Sequence, residues 1–243
     1  MKAMIFAAGK GTRLKPLTDY CPKALIEVAG KPMLEHVILK LKSAGFTELV
    51  VNVHHLAQQI IDYLTANDFG LTIHISDERG ELLETGGGLQ KASPFFRNDE
   101  NGFLLHNADI LSNCNLQALM QEHNSHPSAL ATMVVSHRKT NRYLLFDKEQ
   151  RLRGWVNKQT GETKPEGFVY QEGMYEEYAY AGIQAVSPNI FKTLPAGRFS
   201  IIDFYLSVCH HEEIRAFIAP DLKILDIGKP ETLEAAEQFI TNL

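Results

Sequence analysis

The sequence lacks the features that mark several classes of protein. Its three cysteines, Cys21, Cys114 and Cys209, are widely spaced and odd in number, so they form neither a disulfide framework nor a zinc-binding pattern. No apolar run approaches the ~20 residues that a membrane-spanning helix needs, and the first residues show no signal-peptide pattern. A formal net charge of −5 argues against a general nucleic-acid binder. We therefore expect a cytoplasmic protein without membrane or nucleic-acid partners.

Apolar runs of strand length alternate with helical patterns through the first half of the chain. Strands are predicted at 4–7, 49–53, 71–75, 103–105 and 130–135, and helices around 33–41, 56–64 and 116–120, with a further short helix after Gly88. Such alternation predicts a mostly parallel sheet with helices on both faces. Ligands of such sheets bind at the carboxyl ends of the strands.

The second half, from about residue 143, has a different texture. Strands are predicted at 143–146, 152–156 and 178–186, and helices at 188–194, 200–209 and 230–241. The charged segment 159–177 contains glycine and proline, and it is predicted to be a mobile loop or hairpin beside the ligand site. The length of 243 residues suits a single α/β domain.

A glycine-containing loop, residues 7–18 with the sequence AAGKGTRLKPLT, follows the first predicted strand. Gly9 and Gly11 let backbone N–H groups approach a ligand closely. Four cations accompany them: Lys10, Arg13, Lys15 and Lys23. This combination predicts a site that holds a polyphosphate.

Two familiar phosphate-binding loops do not match this segment. A P-loop needs four residues between its glycines, whereas Gly9 and Gly11 are one residue apart. A dinucleotide fingerprint needs a third glycine where Leu14 stands, and Pro16 disfavours a helix that opens directly from the loop. The loop therefore indicates another kind of phosphate-binding protein.

Two further segments can contribute to such a site. Asp109 follows shortly after the apolar run 103–105 and is therefore expected at the same sheet edge as the loop. A carboxylate there suits Mg²⁺, which takes one or two carboxylates plus phosphate oxygens; the alternative is a helix cap. The glycines 86–88 leave a bare backbone that suits contact with a base or ribose, and the alternative is a glycine-rich turn from strand to helix.

The complete pattern G-x-G-T-R-L-x-P-L-T, followed by Pro22-Lys23-Ala24-Leu25, resembles the signature of sugar-1-phosphate nucleotidyltransferases, which make nucleotide-sugars. The resemblance implies a Rossmann-like three-layer α/β sandwich, with a mostly parallel central sheet flanked by helices and a small β-rich sugar-binding part. It also implies a single domain over 1–243, with a nucleotide-binding half at about 1–140 and a sugar-phosphate-binding half at about 141–243. The implied partners are a nucleoside triphosphate and a sugar 1-phosphate, with Mg²⁺ as the cofactor.

The same resemblance assigns candidate site residues. Arg13 and Lys23 are the expected catalytic residues, and Asp109 and Asp226 are the expected Mg²⁺ ligands. The expected nucleotide-binding residues are Ala8, Gly9, Gly11, Thr12, Arg13, Lys23, Thr85, Gly86 and Gly87, and the expected substrate-binding residues are Asn107, Asn157, Lys158 and Gly182. The chain has Ala108, Asn157 and Lys229 where the family usually has Gly, Glu and Thr.

The motif LETGGG at 83–88 and the segment 52–60 are similar to members that handle uridine nucleotides and N-acetylmuramate 1-phosphate. Uridylyl transfer to that sugar phosphate, serving peptidoglycan recycling, is therefore the expected reaction. The alternatives are a guanylyltransferase for mannose or heptose 1-phosphate and, in another class, a non-catalytic module that senses a nucleotide or sugar. We expect a monomer or a small homo-oligomer.

Overall fold

The computed structural model describes residues 1–219, 221–228 and 230–241. The strands are β1 (Lys2–Phe6), β2 (Glu27–Val28), β3 (Lys31–Pro32), β4 (Glu48–Val53), β5 (Thr72–Asp77), β6 (Phe103–Asn107), β7 (Ile110–Ser112), β8 (Ala129–Ser136), β9 (Arg142–Phe146), β10 (Leu152–Asn157), β11 (Thr163–Lys164), β12 (Glu176–Val186), β13 (Glu213–Ile218) and β14 (Ile224–Asp226). The α-helices are α1 (Met33–Ser43), α2 (Ala57–Ala66), α3 (Glu84–Lys91), α4 (Leu116–Asn124), α5 (Ile201–Val208) and α6 (Pro230–Thr241). Lys229, where the sequence departs from the family pattern, lies outside the described residues.

A mixed sheet of ten strands forms the centre of the described structure. Its central strands are parallel, in the order β5-β4-β1-β6. β12 lies antiparallel to β6 and divides the sheet, because its C-terminal part pairs with β8 and its N-terminal part with β9. β13 extends one branch in parallel with β8, and β10 and β11 extend the other as antiparallel strands. The predicted parallel centre with a smaller β-rich part is confirmed.

Both faces of the central sheet are buried. In β1, Ala3 and Ile5 belong to one hydrophobic cluster, and Met4 belongs to another on the opposite face. Helices α1, α2 and α4 contribute to the first cluster, and α3 and α5 contribute to the second. A strand buried on both faces must be apolar along its whole length, which is the pattern that the sequence shows. The result is a three-layer α/β sandwich.

Several elements differ from the sequence expectations. β13 and the ribbon of β7 with β14 have no counterpart among the predicted strands. The helix expected after Gly88 begins at Glu84 and includes the glycines 86–88, and the helix expected at 188–194 is a 3-10 helix, Pro188–Lys192.

Within the segment 159–177, β11 pairs with β10 to form a hairpin. None of the described helices has the length and apolar content that a membrane span requires.

Candidate active site

The glycine-containing loop, residues 7–18, lies at the carboxyl end of β1 and is called the phosphate loop below. Gly11 has a left-handed φ of +62°, a conformation that favours glycine. A Cβ at Gly11 would stand 2.7 Å from Thr18 Cγ2, so a larger residue does not fit there. The Thr18 hydroxyl donates a hydrogen bond to the Gly11 carbonyl at 2.9 Å and fixes the turn. A Cβ at Gly9 would meet no described atom within 4 Å, so the backbone at Gly9 is open to a ligand.

Asn52 on β4 anchors the start of this loop. Its side-chain oxygen accepts a hydrogen bond from the Ala7 N–H at 2.7 Å, and its Nδ2 donates to Glu78 Oε1 at 2.8 Å. Asn52 and Glu78 are both buried, and burial raises the pKa of Glu78. Asn52 is not among the predicted site residues, although an amide inside the apolar run 49–53 is a signal that points to a role.

Lys23 and Asp109 form an ion pair on the floor of the site. Lys23 begins the 3-10 helix Lys23–Leu25, and Asp109 follows β6 at the same sheet edge as the loop. Their side chains are 13% and 24% exposed, so the pair is shielded but still reachable from solvent. A lysine and a carboxylate held in this way can act on one bound phosphate, the lysine directly and the carboxylate through a cation.

The ribbon of β7 with β14 brings a second carboxylate next to Asp109. Asp226 lies opposite Ile110 in this ribbon. The Ile227 N–H donates to the Asp109 carbonyl at 2.9 Å, which joins the two segments directly. Asp226 Oδ1 is buried and has no hydrogen-bond partner among the described residues.

This donor set suits a hard divalent cation such as Mg²⁺. Carboxylates on two adjoining segments, one with a buried oxygen that lacks a partner among the described residues, are the kind of protein ligand that Mg²⁺ uses together with substrate phosphates. Within the described part of the chain, no group of three or more His, Cys, Asp or Glu side chains is placed to hold a metal. A cation at Asp109 and Asp226 therefore depends on ligand oxygens for the rest of its coordination.

Arg13 lies beside the same ribbon. A Cβ at Gly228 would stand 2.6 Å from a terminal guanidinium nitrogen of Arg13 and 2.9 Å from Asp226 Oδ1. Glycine at 228 is therefore what allows the two charged groups to approach this segment together. Arg13 is exposed, and across residues 1–219, 221–228 and 230–241 it forms no ion pair. Its guanidinium can therefore bind an anionic ligand.

A cleft of about 410 Å³ opens at this sheet edge. The predicted site residues that line it are Ala8, Gly9, Lys23, Thr85, Asn107 and Asp109. Gly11, Thr12, Arg13 and Asp226 belong to the phosphate loop and the β14 segment that flank these residues. An α/β protein with this arrangement can bind a phosphorylated ligand at the carboxyl edge of its sheet.

The glycines 86–88 are required for packing within the protein. A Cβ at Gly86 would stand 2.1 Å from the Phe199 ring, and one at Gly87 would stand 2.3 Å from the Gly197 carbonyl oxygen. The Gly86 N–H donates to the Phe199 carbonyl at 2.9 Å. These contacts hold α3 against the segment before α5. Contact of Gly86 and Gly87 with a nucleotide stays a prediction.

Thr85 connects α3 to the start of α5. Its hydroxyl oxygen accepts a hydrogen bond from the Ile201 N–H at 2.9 Å. The Ser200 hydroxyl caps α5 by accepting from the Ile202 N–H at 3.2 Å. Because Thr85 and Ser200 both line the cleft, the N-terminal ends of two helices meet at its wall.

Of the predicted substrate-binding residues, the structure brings Asn107 and Gly182 together. Gly182 has a φ of +75° and lies in the irregular part of β12. A Cβ at Gly182 would stand 3.0 Å from Asn107 Nδ2 and 2.8 Å from an Ile110 side-chain carbon. The glycine therefore leaves room beside Asn107 at the edge of the cleft.

Asn157 and Lys158 lie apart from this cleft. Asn157 is buried, and its Oδ1 accepts a hydrogen bond from the Gln159 N–H at 3.0 Å. Lys158 Nζ lies 2.6 Å from Glu177 Oε2 and 5.5 Å from the centre of the Tyr143 ring. The hydrogen bond to Glu177 raises the pKa of Lys158. The roles of both residues in sugar binding stay predictions.

The sequence matches the family model for nucleotidyl transferases over residues 2–242. The N-acetylmuramate alpha-1-phosphate uridylyltransferase of Caulobacter vibrioides is 31% identical over 97% of this chain and 95% of its own length. The protein of the same name from Neisseria meningitidis is 42% identical over 132 residues, which are 54% of this chain and 56% of that protein. The crystal structure of HddC from Yersinia pseudotuberculosis, complexed with GMP-PN, has a TM-score of 0.76 at 20% identity and covers 98% of this chain and 99% of its own.

The family model and the Caulobacter relative both extend along almost the whole chain. The chain therefore belongs to the nucleotidyl transferase family of enzymes. This confirms the family that the phosphate-loop motif predicted, and the likeness to HddC confirms the fold.

Proposed function

We propose that this chain is a Mg²⁺-dependent uridylyltransferase that converts UTP and N-acetylmuramate 1-phosphate into a nucleotide-sugar and pyrophosphate. The observation that carries this choice of base and sugar is the likeness to the Caulobacter protein over 97% of the chain. The geometry supports the reaction type, because residues of the phosphate loop, Lys23 and Asp109 line one cleft, and Asp226 lies in the ribbon beside Asp109.

The setting of the reaction is part of the same proposal. The enzyme acts in the cytoplasm, in peptidoglycan recycling. It is a single domain over 1–243, with a nucleotide-binding half at about 1–140 and a sugar-phosphate-binding half at about 141–243. It is a monomer or a small homo-oligomer and has neither nucleic-acid nor membrane partners.

The proposed reaction needs no nucleophile from the protein. An oxygen of the sugar 1-phosphate attacks the α-phosphorus of UTP, the bond from that phosphorus to the bridging oxygen breaks, and pyrophosphate leaves. A phosphate monoester has a second pKa near ~6, as phosphorylated side chains do, so the attacking group is largely ionised at neutral pH. Catalysis then depends on alignment and on neutralisation of charge.

Both glycines of the loop, and the two cations Arg13 and Lys23, have a part in this step. The backbone N–H groups of Gly9, Gly11 and Thr12 bind the β- and γ-phosphates. Arg13 balances the charge of the departing pyrophosphate. Lys23, held beside Asp109, contacts both the α-phosphate and the attacking phosphate. Lys23 is oriented by its ion pair with Asp109 before substrate binds, so little reorganisation is needed at this position during the reaction.

The remaining assignments concern the metal, the base and the sugar. Asp109 and Asp226 would hold Mg²⁺, which supplies further neutralisation of phosphate charge when bound. Ala8, Thr85, Gly86 and Gly87 contact the nucleotide. Asn107 and Gly182, together with Asn157 and Lys158, contact the sugar phosphate.

A panel of substrates tests the proposal. Pyrophosphate release is measured for four nucleoside triphosphates, including UTP and GTP, against the 1-phosphates of N-acetylmuramate, N-acetylglucosamine, mannose, heptose and glucose. We expect the highest kcat/KM for UTP with N-acetylmuramate 1-phosphate. Turnover with GTP and mannose or heptose 1-phosphate, and none with UTP, would replace the proposal with a guanylyltransferase. Binding without any turnover would replace it with a sensing module.

Arg13→Ala is expected to lower kcat by about 10²–10³-fold, the usual effect of removing one preorganised charge from a transition state. Because Arg13 is exposed and makes no ion pair within the described structure, the melting temperature should not change. The control is Arg151→Ala, which removes an arginine that is 47% exposed and lies away from the cleft. Pyrophosphate release and thermal unfolding are measured for both variants. Near wild-type turnover of Arg13→Ala would disprove its assigned role.

A further inference from the structure

A second cleft, of about 520 Å³, adjoins the first. The two clefts share Ser200 in their linings. Tyr180 lines the second cleft, and two residues further along β12 a Cβ at Gly182 would stand 3.0 Å from Asn107 in the first. A sugar phosphate whose phosphate lies at Lys23 can therefore extend its ring toward the second cleft.

The second cleft also borders the sheet face that carries Asn157. Arg142 is paired directly with Asn157, and Leu144 with Trp155, across β9 and β10. Residues that are paired directly across two strands share one face of the sheet. Arg142, Leu144 and Trp155 all line the cleft, so Asn157, one of the predicted substrate-binding residues, lies on the cleft side of the sheet.

Two arginines of this cleft have no anionic partner. Within the described residues neither Arg138 nor Arg142 forms an ion pair, and a terminal nitrogen of Arg138 donates to a backbone carbonyl at 3.3 Å. A third cation, Lys164, is neutralised by Asp203 at 2.8 Å. Glu162 is the remaining carboxylate in the lining. Two unpaired cations against one unpaired carboxylate give the cleft an excess of positive charge, which favours an anionic ligand.

We propose that Arg142, assisted by Arg138, binds the lactyl carboxylate of N-acetylmuramate 1-phosphate and so selects an acidic sugar. This assignment rests on the proposed function, because N-acetylmuramate differs from N-acetylglucosamine by a lactyl ether that ends in a carboxylate. The planar guanidinium matches the two oxygens of a carboxylate. Trp155 and Tyr180 supply the apolar surface that such a pocket needs beside its few polar groups.

The proposed selectivity follows from the number of anionic groups that each sugar phosphate brings to the site. N-acetylmuramate 1-phosphate brings one anion to the reacting end and a second to the arginines. N-acetylglucosamine 1-phosphate brings only the first, so it gains none of the charged hydrogen bonds at Arg142. A site built to bind a polar group discriminates against the analogue that lacks it.

The test compares these two sugar phosphates in the wild-type enzyme and in Arg142→Ala, Arg142→Lys and Arg138→Ala. We expect Arg142→Ala to lose roughly 10- to 100-fold in kcat/KM for N-acetylmuramate 1-phosphate, the range for a charged hydrogen bond. The loss should fall mainly on KM, because the carboxylate is remote from the reacting atoms. Turnover of N-acetylglucosamine 1-phosphate should stay unchanged. Arg142→Lys should lie between the two enzymes, and Arg138→Ala should lose less than Arg142→Ala.

Calorimetric binding of both sugar phosphates gives a second readout, and the control is Lys139→Ala, an exposed cation outside the cleft lining. An equal loss for both sugar phosphates in Arg142→Ala, or no loss for either, would overturn the assignment while the proposed function stands. A wild-type enzyme that does not use N-acetylmuramate 1-phosphate with any triphosphate would overturn the proposed function and this assignment together. Because Arg138 and Arg142 are both exposed, the variants are expected to fold, and thermal unfolding checks this.

Discussion

Replacing Asp226 with asparagine is expected to abolish most activity while leaving the protein about as stable as the wild type. Loss of a carboxylate that holds Mg²⁺ removes several kcal/mol of transition-state stabilisation, which corresponds to a fall of roughly 10³-fold or more in kcat. The fold has no need of the charge, because Asp226 Oδ1 is buried without a partner among the described residues. The side chain is partly exposed, so a neutral amide that keeps an oxygen at this position should change stability little when no cation is bound.

Three measurements check this result: pyrophosphate release, calorimetric titration with Mg²⁺, and thermal unfolding without Mg²⁺. The matched control is Asp221→Asn, which changes an exposed carboxylate in the same segment. Asp221 has a φ of +51°, and asparagine tolerates that conformation. We expect the control to keep full activity. If Asp226→Asn bound Mg²⁺ as tightly as the wild type, the assignment of Asp226 as a metal ligand would be wrong.

Lys23→Ala is expected to lower kcat by about 10²–10³-fold. Lys23 is the cation at the centre of the cleft, its side chain is only 13% exposed, and it is oriented by its ion pair with Asp109. A charge that is shielded from water and fixed in place stabilises a phosphate transition state more than a mobile surface lysine does. Lys23→Arg should recover only part of the activity, because the larger planar group cannot replace a compact ammonium.

The control for Lys23 is Lys31→Ala, which removes the same charge from a lysine that is 47% exposed and paired with Glu35 at 2.9 Å. Such surface pairs contribute little to stability, so this variant should retain both turnover and melting temperature. Thermal unfolding should also show Lys23→Ala to be folded. A folded Lys23→Ala enzyme with turnover close to that of the wild type would refute the proposed contact with the phosphates.

The sequence predicted the central strands and the first helices because burial repeats there at local, regular spacings. In α1, Met33, Leu34, Val37, Ile38 and Leu41 follow the helical period and are all buried. The phosphate loop could be predicted from the sequence equally well, since its small residues and cations lie within one short segment. Such patterns are local, so they can be recognised in a single sequence without knowledge of the tertiary contacts.

The elements that the sequence did not predict depend on distant partners. β7 and β14 are three residues long, too short to show a period, and each exists only because it pairs with the other. In β13, Glu213 and Arg215 interrupt the apolar pattern, and their charges are paired at 2.7 Å in the structure. The start of α3 was missed because glycines disfavour helices, whereas contact with Phe199 and Gly197 requires them.

The sequence predicted which residue types form the site, but only partly how these residues are arranged. The sequence placed Asp109 at the edge where the loop lies, because both follow parallel strands. It could not reveal the hydrogen bonds of Asn52 to Ala7 and Glu78, which join three separate segments. Nor could it reveal that Lys158 is engaged by Glu177. Residues that are adjacent in sequence can belong to one motif, but successive side chains of a strand point to opposite faces of the sheet, so not all of them face the cleft.

The ribbon of β7 with β14 ties the acquisition of activity to the order in which the chain folds. Asp109 and Asp226 are separated by more than a hundred residues, and the hydrogen bond from Ile227 to Asp109 closes that long loop. The ribbon pairs only three residues of each strand across that separation, so it gains few contacts for the chain entropy that closing the loop costs. A chain that had completed only its central sheet would hold the phosphate loop and one carboxylate without the other. During refolding, catalytic activity should therefore recover later than secondary structure, and an incompletely folded chain would not consume nucleoside triphosphate.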